Sequence, residues 1–405
     1  MTLTEQHIIT KKNSNWKQID NLCFLSKNLY NSWLYTVKQQ YLKTTKFLRY
    51  KDIERLFREV QQPDYFYIST ASSQQIIILA DRNLKSYFSL LRKWKKDRKT
   101  LTGCPKFPKY KDKTKGRNIF IFRNDQIRRF EDNYLLFPKK TNLKPIKTKL
   151  IDQKISQVRL IPKSSHYVIE IVYEVQEKQL KKDNKNYSSI DLGLNNLATL
   201  TTNLENKVPL IINGKSLKSI NQYYNKRKSY IQSELELRHH RKTSNKLSNL
   251  TLKRNNKIKD YLHKASRFIV NYLVKEDISK LVVGLNKEWK QNINLGKRNN
   301  QAFVDIPHET FISMLKYKCE LEGIEFKVRE ESYTSKCSAL DLEEVRKQET
   351  YKGKRIKRGL FRTEKGILVN ANVNGSLNIG RKEFGDVFMR PANRGFVINP
   401  VKVEL

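Results

Sequence analysis

Three short apolar runs constrain what this chain can fold into more than any other feature. They are S-S-I-D-L-G at 188–193, N-L-A-T-L-T-T at 196–202 and V-P-L-I-I-N-G at 208–214. Runs of this length, rich in branched and apolar residues and bounded by glycine and asparagine, read as strands. The turn G-L-N-N makes the first two a hairpin, and the third completes a meander. Long charged helices are predicted over roughly 214–276, then a buried strand K-L-V-V-G at 280–284. A helix from about 307 to 322 and a strand from 324 to about 331 follow.

Upstream, the period changes. Ile19, Leu22, Leu25, Leu29, Trp33 and Val37 recur at helical spacing and predict a helix over roughly 16–42. Ile53, Leu56, Phe57 and Val60 begin a second helix, which the pair Pro63 and Asp64 closes. Ser72 and Ser73 are placed to cap a third, with Ile76, Leu79, Ala80, Leu84, Phe88 and Leu91 on one side. A turn-rich basic connector, T-G-C-P-K-F-P-K-Y-K, comes next. The alternating runs I-F-I-F, Y-L-L-F, V-R-L-I and Y-V-I-E-I-V-Y-E-V then predict a small β-barrel or sheet. E-K-Q-L-K-K-D-N-K-N reads as a solvated linker. The expected fold class is multidomain α+β: an N-terminal helical domain, a β-barrel, and a meander followed by alternating helices and strands. That last element order belongs to an RNase H-like nuclease core.

Charge indicates the partner. Lys and Arg number 81 against 40 Asp and Glu, a formal charge of +41. A compact protein offsets such self-repulsion with a polyanion, and here the basic residues run the whole length rather than forming a tail. A large nucleic-acid footprint is expected. No apolar run reaches the ~20 residues of a spanning helix, and M-T-L-T-E-Q lacks a signal-peptide core, so no membrane partner is expected. Cys23, Cys104, Cys319 and Cys337 lie far apart without a CxxC pair. That pattern fits free thiols in a reducing cytosol and argues against a four-cysteine zinc site.

Asp191 is the first candidate for chemistry. It ends a central strand before a glycine turn, where a hard oxygen on rigid backbone suits a divalent metal facing a phosphodiester. Capping the hairpin is its alternative role. Glu330 and Glu331 close F-K-V-R-E-E; adjacent strand residues face opposite ways, so at most one joins Asp191, and the residues alone do not choose. A third ligand is expected from the last helix, where V-N-A-N-V-N-G-S-L-N-I-G lies at 369–380.

Four segments in order carry a family resemblance: S-I-D-L-G-L-N-N-L-A-T-L, V-V-G-L-N-K-E-W-K-Q, E-E-S-Y-T-S-K-C-S and N-A-N-V-N-G-S-L-N-I. The chain resembles TnpB, the transposon-encoded RNA-guided DNA nuclease, over essentially its whole length. The resemblance implies a wedge β-barrel at 1–12 plus 105–185 and a helical recognition domain at 13–104. It implies a RuvC domain of RNase H fold at 186–332 plus 369–405, with a zinc-finger-like insertion at 333–368. It also implies a guide RNA derived from a transposon end, double-stranded target DNA with a short flanking motif, and one protein per guide in the bacterial cytoplasm, on the nucleoid when DNA-bound.

The chain departs from that family in three places. Gly284 stands where a catalytic Glu is usual, and Glu330 or Glu331 is the substitute expected from the resemblance. Only Cys337 remains of two CxxC pairs, with Leu340, Arg362 and Lys365 at the other positions, so no zinc is expected and the two cations favour nucleic acid. Asn372 stands where the family has a catalytic Asp. An amide oxygen brings no charge to a Mg²⁺ site, so Mg²⁺ is expected weak or absent, residual at Asp191, and cleavage largely lost.

Three readings of Asn372 follow: a natural nuclease-dead repressor of the TldR kind, a substitution that traps an uncut complex, or a site still cutting slowly. Nothing resembles a tyrosine or DDE recombinase core. The remaining candidates are nucleic-acid contacts. Gln74 and Gln75 lie where the resemblance implies reading of the flanking motif, and glutamine pairs bidentately with adenine. Lys109, Tyr110 and Arg117 interleave with Phe107 and Phe120 in the connector, as contacts or as core. Tyr223, Tyr224, Lys226, Arg227 and Lys228 form a strip suited to heteroduplex backbone or to solvent.

Overall fold

A computed structural model of the chain describes residues 1–130, 133–285, 306–357, 359–389 and 395–405. They divide into two compact units, Met1–Val175 and Gln176–Leu405. The K-E-W-K-Q end of the second family-like segment lies outside the described residues.

In the first unit α1 (Trp16–Thr44), α2 (Tyr50–Glu59), α3 (Pro63–Phe66) and α4 (Thr70–Lys96) precede most of the strands. The α1 stripe buries Ile19, Leu22, Leu29, Trp33 and Val37, as its spacing predicts. Two boundaries differ from expectation. Pro63 opens α3 instead of only ending α2, because at the first helical position its missing N–H is no loss. Ser69 caps α4: its hydroxyl accepts from the Ser72 amide. Ser72 and Ser73 lie inside the helix, buried, and the Ser73 hydroxyl donates to the Tyr65 carbonyl.

The strands are β1 (Thr2–Ile9), β2 (Phe120–Arg123), β3 (Arg128–Phe130), β4 (Tyr134–Leu136), β5 (Ile146–Lys147), β6 (Ile155–Pro162) and β7 (Tyr167–Glu174). They form an antiparallel sheet β1-β7-β6-β2 and a separate sheet β3-β4-β5. The expected closed barrel is therefore corrected: among the described residues β1 and β2 do not pair. Helices do the covering that closure would have done. Phe120, Phe122, Val158, Leu160 and Ile169 share one core with Ile19, Trp33 and Ile76 of α1 and α4.

The second unit is built on the meander. Its elements are β8 (Tyr187–Leu192), β9 (Asn196–Thr202), β10 (Leu210–Asn213), α5 (Lys215–His239), α6 (Asn245–Lys275), β11 (Lys280–Gly284), α7 (His308–Leu321) and β12 (Glu325–Arg329). Then come β13 (Lys354–Lys357), β14 (Leu360–Arg362), β15 (Leu368–Asn370), α8 (Ala371–Phe384) and β16 (Val401–Val403). The main sheet has the order β12-β11-β8-β9-β10-β16. β8, β9 and β10 pair antiparallel, whereas β11 is parallel to both β8 and β12. β16 adds in parallel at the β10 edge, a strand the sequence did not announce.

Central strand β8 is buried on both faces. Ile190 packs with Leu262, Ile269, Phe311 and Leu315 of α6 and α7. Ser189, one residue earlier, faces α8, where its hydroxyl donates to the Ser376 carbonyl at 2.7 Å. Ser376 and Thr201 complete a buried hydroxyl cluster, with their oxygens 2.8 Å apart. Polar residues in a sheet interior are thus satisfied by the helix they dock. Among the described residues no helix is long and apolar enough to cross a membrane.

Candidate functional site

Alternation along β8 puts Asp191 on the same face as Ser189, toward α8. The approach is close: a methyl group at Gly375 would stand 3.4 Å from the Asp191 carboxyl carbon. Burial pushes the Asp191 carboxyl well above its ordinary range, the negative charge of Glu331 raises it further, and Arg355 opposes both. Among the described residues its oxygens accept no hydrogen bond.

The four odd asparagines divide the work between folding and site. Asn370 caps α8, its side-chain oxygen accepting from the Asn372 amide at 3.0 Å. Asn374 is fully buried; it accepts from the Ala339 amide and donates to the Cys337 carbonyl. Asn378 donates to the carbonyls of Thr334 and Cys337. Asn372 alone is turned to the turn after Asp191: its Nδ2 lies 3.5 Å from where a methyl on Gly193 would stand. His308 holds that same turn through its Nε2, 3.2 Å from the Gly193 carbonyl oxygen. Sequence reasoning missed His308, because nothing local ties a helix-start histidine to a hairpin 115 residues away.

Glu330 and Glu331 lie just beyond β12 rather than within it, so strand alternation does not sort them. Geometry does. Glu331 Oε2 is 2.8 Å from where a Cβ on Gly284 would stand, and Ile379 of α8 crowds the same point. The glycine leaves the room that Glu331 fills at the end of β11. Glu330 is largely exposed, 3.8 Å from Lys382, and does not join the site. Asp191, Glu331 and Asn372 thus converge from β8, the segment after β12, and the first turn of α8. Arg355, on β13, is the cation whose field reaches Asp191, and no motif signalled it.

The insertion does not fit zinc. Cys337 is buried and donates its thiol to the Arg346 carbonyl; Leu340 joins an apolar cluster with Phe361 and Val369; Arg362 and Lys365 are exposed. Carboxylates order the loops instead. Glu343 accepts from the backbone amides of Ser338 and Lys352, and Asp341 from the Glu364 amide and the Ser338 hydroxyl. Among the described residues no group of three or more His, Cys, Asp or Glu could hold a metal ion.

The expected nucleic-acid contacts fare unevenly. Arg117 is engaged within the fold: its guanidinium grips Asp20 bidentately at 2.9 and 2.8 Å and donates to two carbonyls besides, which occupies four of its five N–H donors. Phe120 is core, and Phe107 packs on Tyr87. Gln74 donates its amide to Glu54 at 2.7 Å, so it braces α2 against α4. Gln75 has no hydrogen-bond partner among the described residues. Lys109 and Tyr110 are exposed, with Lys38 over the Tyr110 ring. Tyr223 and Arg227 are exposed on α5. A cleft of mixed lining that the sequence did not flag lies in the first unit, where Leu25, Phe66 and Ile68 stand beside Gln18, Asn21 and Lys140.

Two stretches match known families: residues 170–290 match OrfB_IS605, described as "Probable transposase", and residues 308–379 match the Cas12f1-like TNB domain. No curated protein matches the chain in sequence. Among solved structures, a Cas12f1–sgRNA–target DNA complex is similar over 91% of this chain and 82% of that chain, at 16% identity and a TM-score of 0.53. The mini-RNA-guided endonuclease CRISPR-Cas_phi3 aligns over 97% and 93%, at 11% identity and a TM-score of 0.46. The first of these likenesses carries the fold.

Proposed function

We propose that this chain, whose family matches and fold support a TnpB-like family, is an RNA-guided DNA-binding protein with a disabled RuvC-type nuclease site. It acts as a transcriptional repressor of the TldR kind, occupying a promoter that its guide RNA selects. The guide derives from a transposon end, and the target is double-stranded DNA bearing a short flanking motif. Residues 186–332 plus 369–405 are the RuvC-type domain, a reading supported by the meander and two parallel strands of the sheet. The insertion at 333–368 works without zinc, and one protein serves each guide in the cytoplasm.

Asn372 is the observation that carries this reading. It stands beside the Asp191 turn with a neutral amide where a nuclease needs charge. Asp191, Glu331 and the Asn372 oxygen would hold a divalent ion with two charges only. Such an ion supplies Lewis-acid polarisation of a phosphodiester and acidifies water. Asn372 offers it no charge and takes no proton from water, so Asp191 and Glu331 are left to bind rather than cut.

The test is a cleavage assay with guide RNA, target duplex and Mg²⁺. The chain as it stands is expected to bind and leave both strands intact; an endonuclease held back only at Asn372 would in addition regain cutting on Asn372→Asp. Efficient double-strand cutting by the unaltered sequence sinks the proposal. The second reading, an endonuclease held back only at this position, is favoured by the retained pair Asp191 and Glu331. A revertant that stays inert removes that reading.

A further inference from the structure

The groove between α5 and α6 is not explained by backbone tracking. It encloses about 720 Å³, lined by Ile220, Ile231 and Leu250 and by the rings of Tyr223 and Tyr224. Five cations, Arg227, Lys246, Lys253, Arg254 and Lys257, also line it, and no carboxylate does. A duplex presents phosphates to a cationic ridge and keeps its bases stacked inside, so it needs no apolar recess. An unpaired nucleotide needs both: a ring to stack on, an apolar wall for the base, and cations for the phosphates on either side. The volume falls within the range of about 300–1,000 Å³ typical of clefts that take small organic ligands.

We infer that this groove takes an unpaired segment of RNA, with a base stacked on Tyr223 and flanking phosphates on the lysines. The inference deepens the RNA-binding part of the proposed function and rests on it. Tyr223 is well placed: the residue is 64% exposed and no ring stacks on it among the described residues. Tyr224 is the fixed wall, its hydroxyl bonded to Thr251 and its ring faced by the Arg254 guanidinium at 5.5 Å. Ser219 and Asn249 line the groove without hydrogen-bond partners among the described residues. Both can donate and accept, which is what a ribose 2′-hydroxyl requires and deoxyribose does not offer. Uniform positive charge with aromatic rings favours RNA over an acidic peptide, whose carboxylates carry no base to stack.

The full chain titrated with a short labelled oligouridylate, followed by fluorescence anisotropy, tests this. Tyr223→Ala is expected to weaken binding about tenfold, the scale of one base–aromatic stack, while Tyr223→Phe stays within about twofold. Oligothymidylate of equal length should bind more weakly and lose less. An unchanged affinity for Tyr223→Ala, with its melting temperature intact, overturns the inference. So does polyglutamate that binds as tightly as the RNA and with the same dependence on Tyr223. If the wild-type chain copurifies with guide RNA while Tyr223→Ala binds oligouridylate as tightly as the wild type, the groove assignment falls alone. If the wild-type chain binds no RNA, the proposed function falls with it.

Discussion

Asp191 sits on a strand buried on both faces, where burial and the charge of Glu331 raise its carboxyl and Arg355 opposes them. Its folded carboxyl is raised above the ordinary value of 3.8, so the sign of its contribution is fixed. The stability it supplies is complete below that value and is lost as pH rises through the folded value. At neutral pH the wild type therefore carries a penalty, which Asp191→Asn removes at constant shape. Thermal melts should show the variant more stable at pH 7 and the gap closing toward pH 4. Mg²⁺ should raise the wild-type melting temperature and leave the variant where it is. A variant equal to wild type at both pH values would mean that the carboxylate is solvated and the site open. Gly284→Ala tests the neighbouring residue: its Cβ meets Ile379 and lies 2.8 Å from Glu331 Oε2. Overpacking of this kind costs about 1–3 kcal/mol in urea denaturation.

Among the elements, α8 links the site to the insertion; two of its asparagines and the Asn370 cap before it serve the fold. Asn374 and Asn378 satisfy the backbone at 334–339. Asn374→Leu strands a buried N–H and weakens the hold on the Cys337 carbonyl, which should cost about 1–3 kcal/mol. In Mg²⁺-free buffer, a zinc-selective chelator should leave the melting temperature unchanged; a fall there would refute carboxylate ordering by Asp341 and Glu343. This division shows where the sequence was legible. The periodicity of α1, α4 and the meander is local, so those elements lie where their residues place them. Closure of a barrel is not local: whether β1 meets β2 depends on helices that share the core, and no strand records it. The choice of Glu331 over Glu330 was hidden for a like reason, since both lie past β12 and only the empty Gly284 tells them apart. Asn372 was readable as an odd residue in its motif, whereas the ion pair of Arg117 was not, because its partner, Asp20, lies 97 residues away.

At the scale of the whole molecule, 81 basic residues face 40 acidic ones, so even complete pairing leaves 41 cations for a polyanion. Such a surface binds any duplex by releasing counterions, and each neutralised phosphate steepens the fall of log K with log salt by about 0.9. Without a guide, the protein should lose nonspecific DNA affinity by about 10³-fold or more between about 50 and 200 mM salt, as 6–10 contacts would give. A bound guide RNA changes this, because its phosphates occupy the same cations. Nonspecific affinity should then drop and its salt slope flatten, while target binding, held by base pairing, survives at 200 mM. Filter binding of matched and scrambled duplexes with and without guide measures both slopes. Equal slopes in the two states would mean that guide and DNA use different cations, and that charge on this chain does not enforce guided over unguided binding.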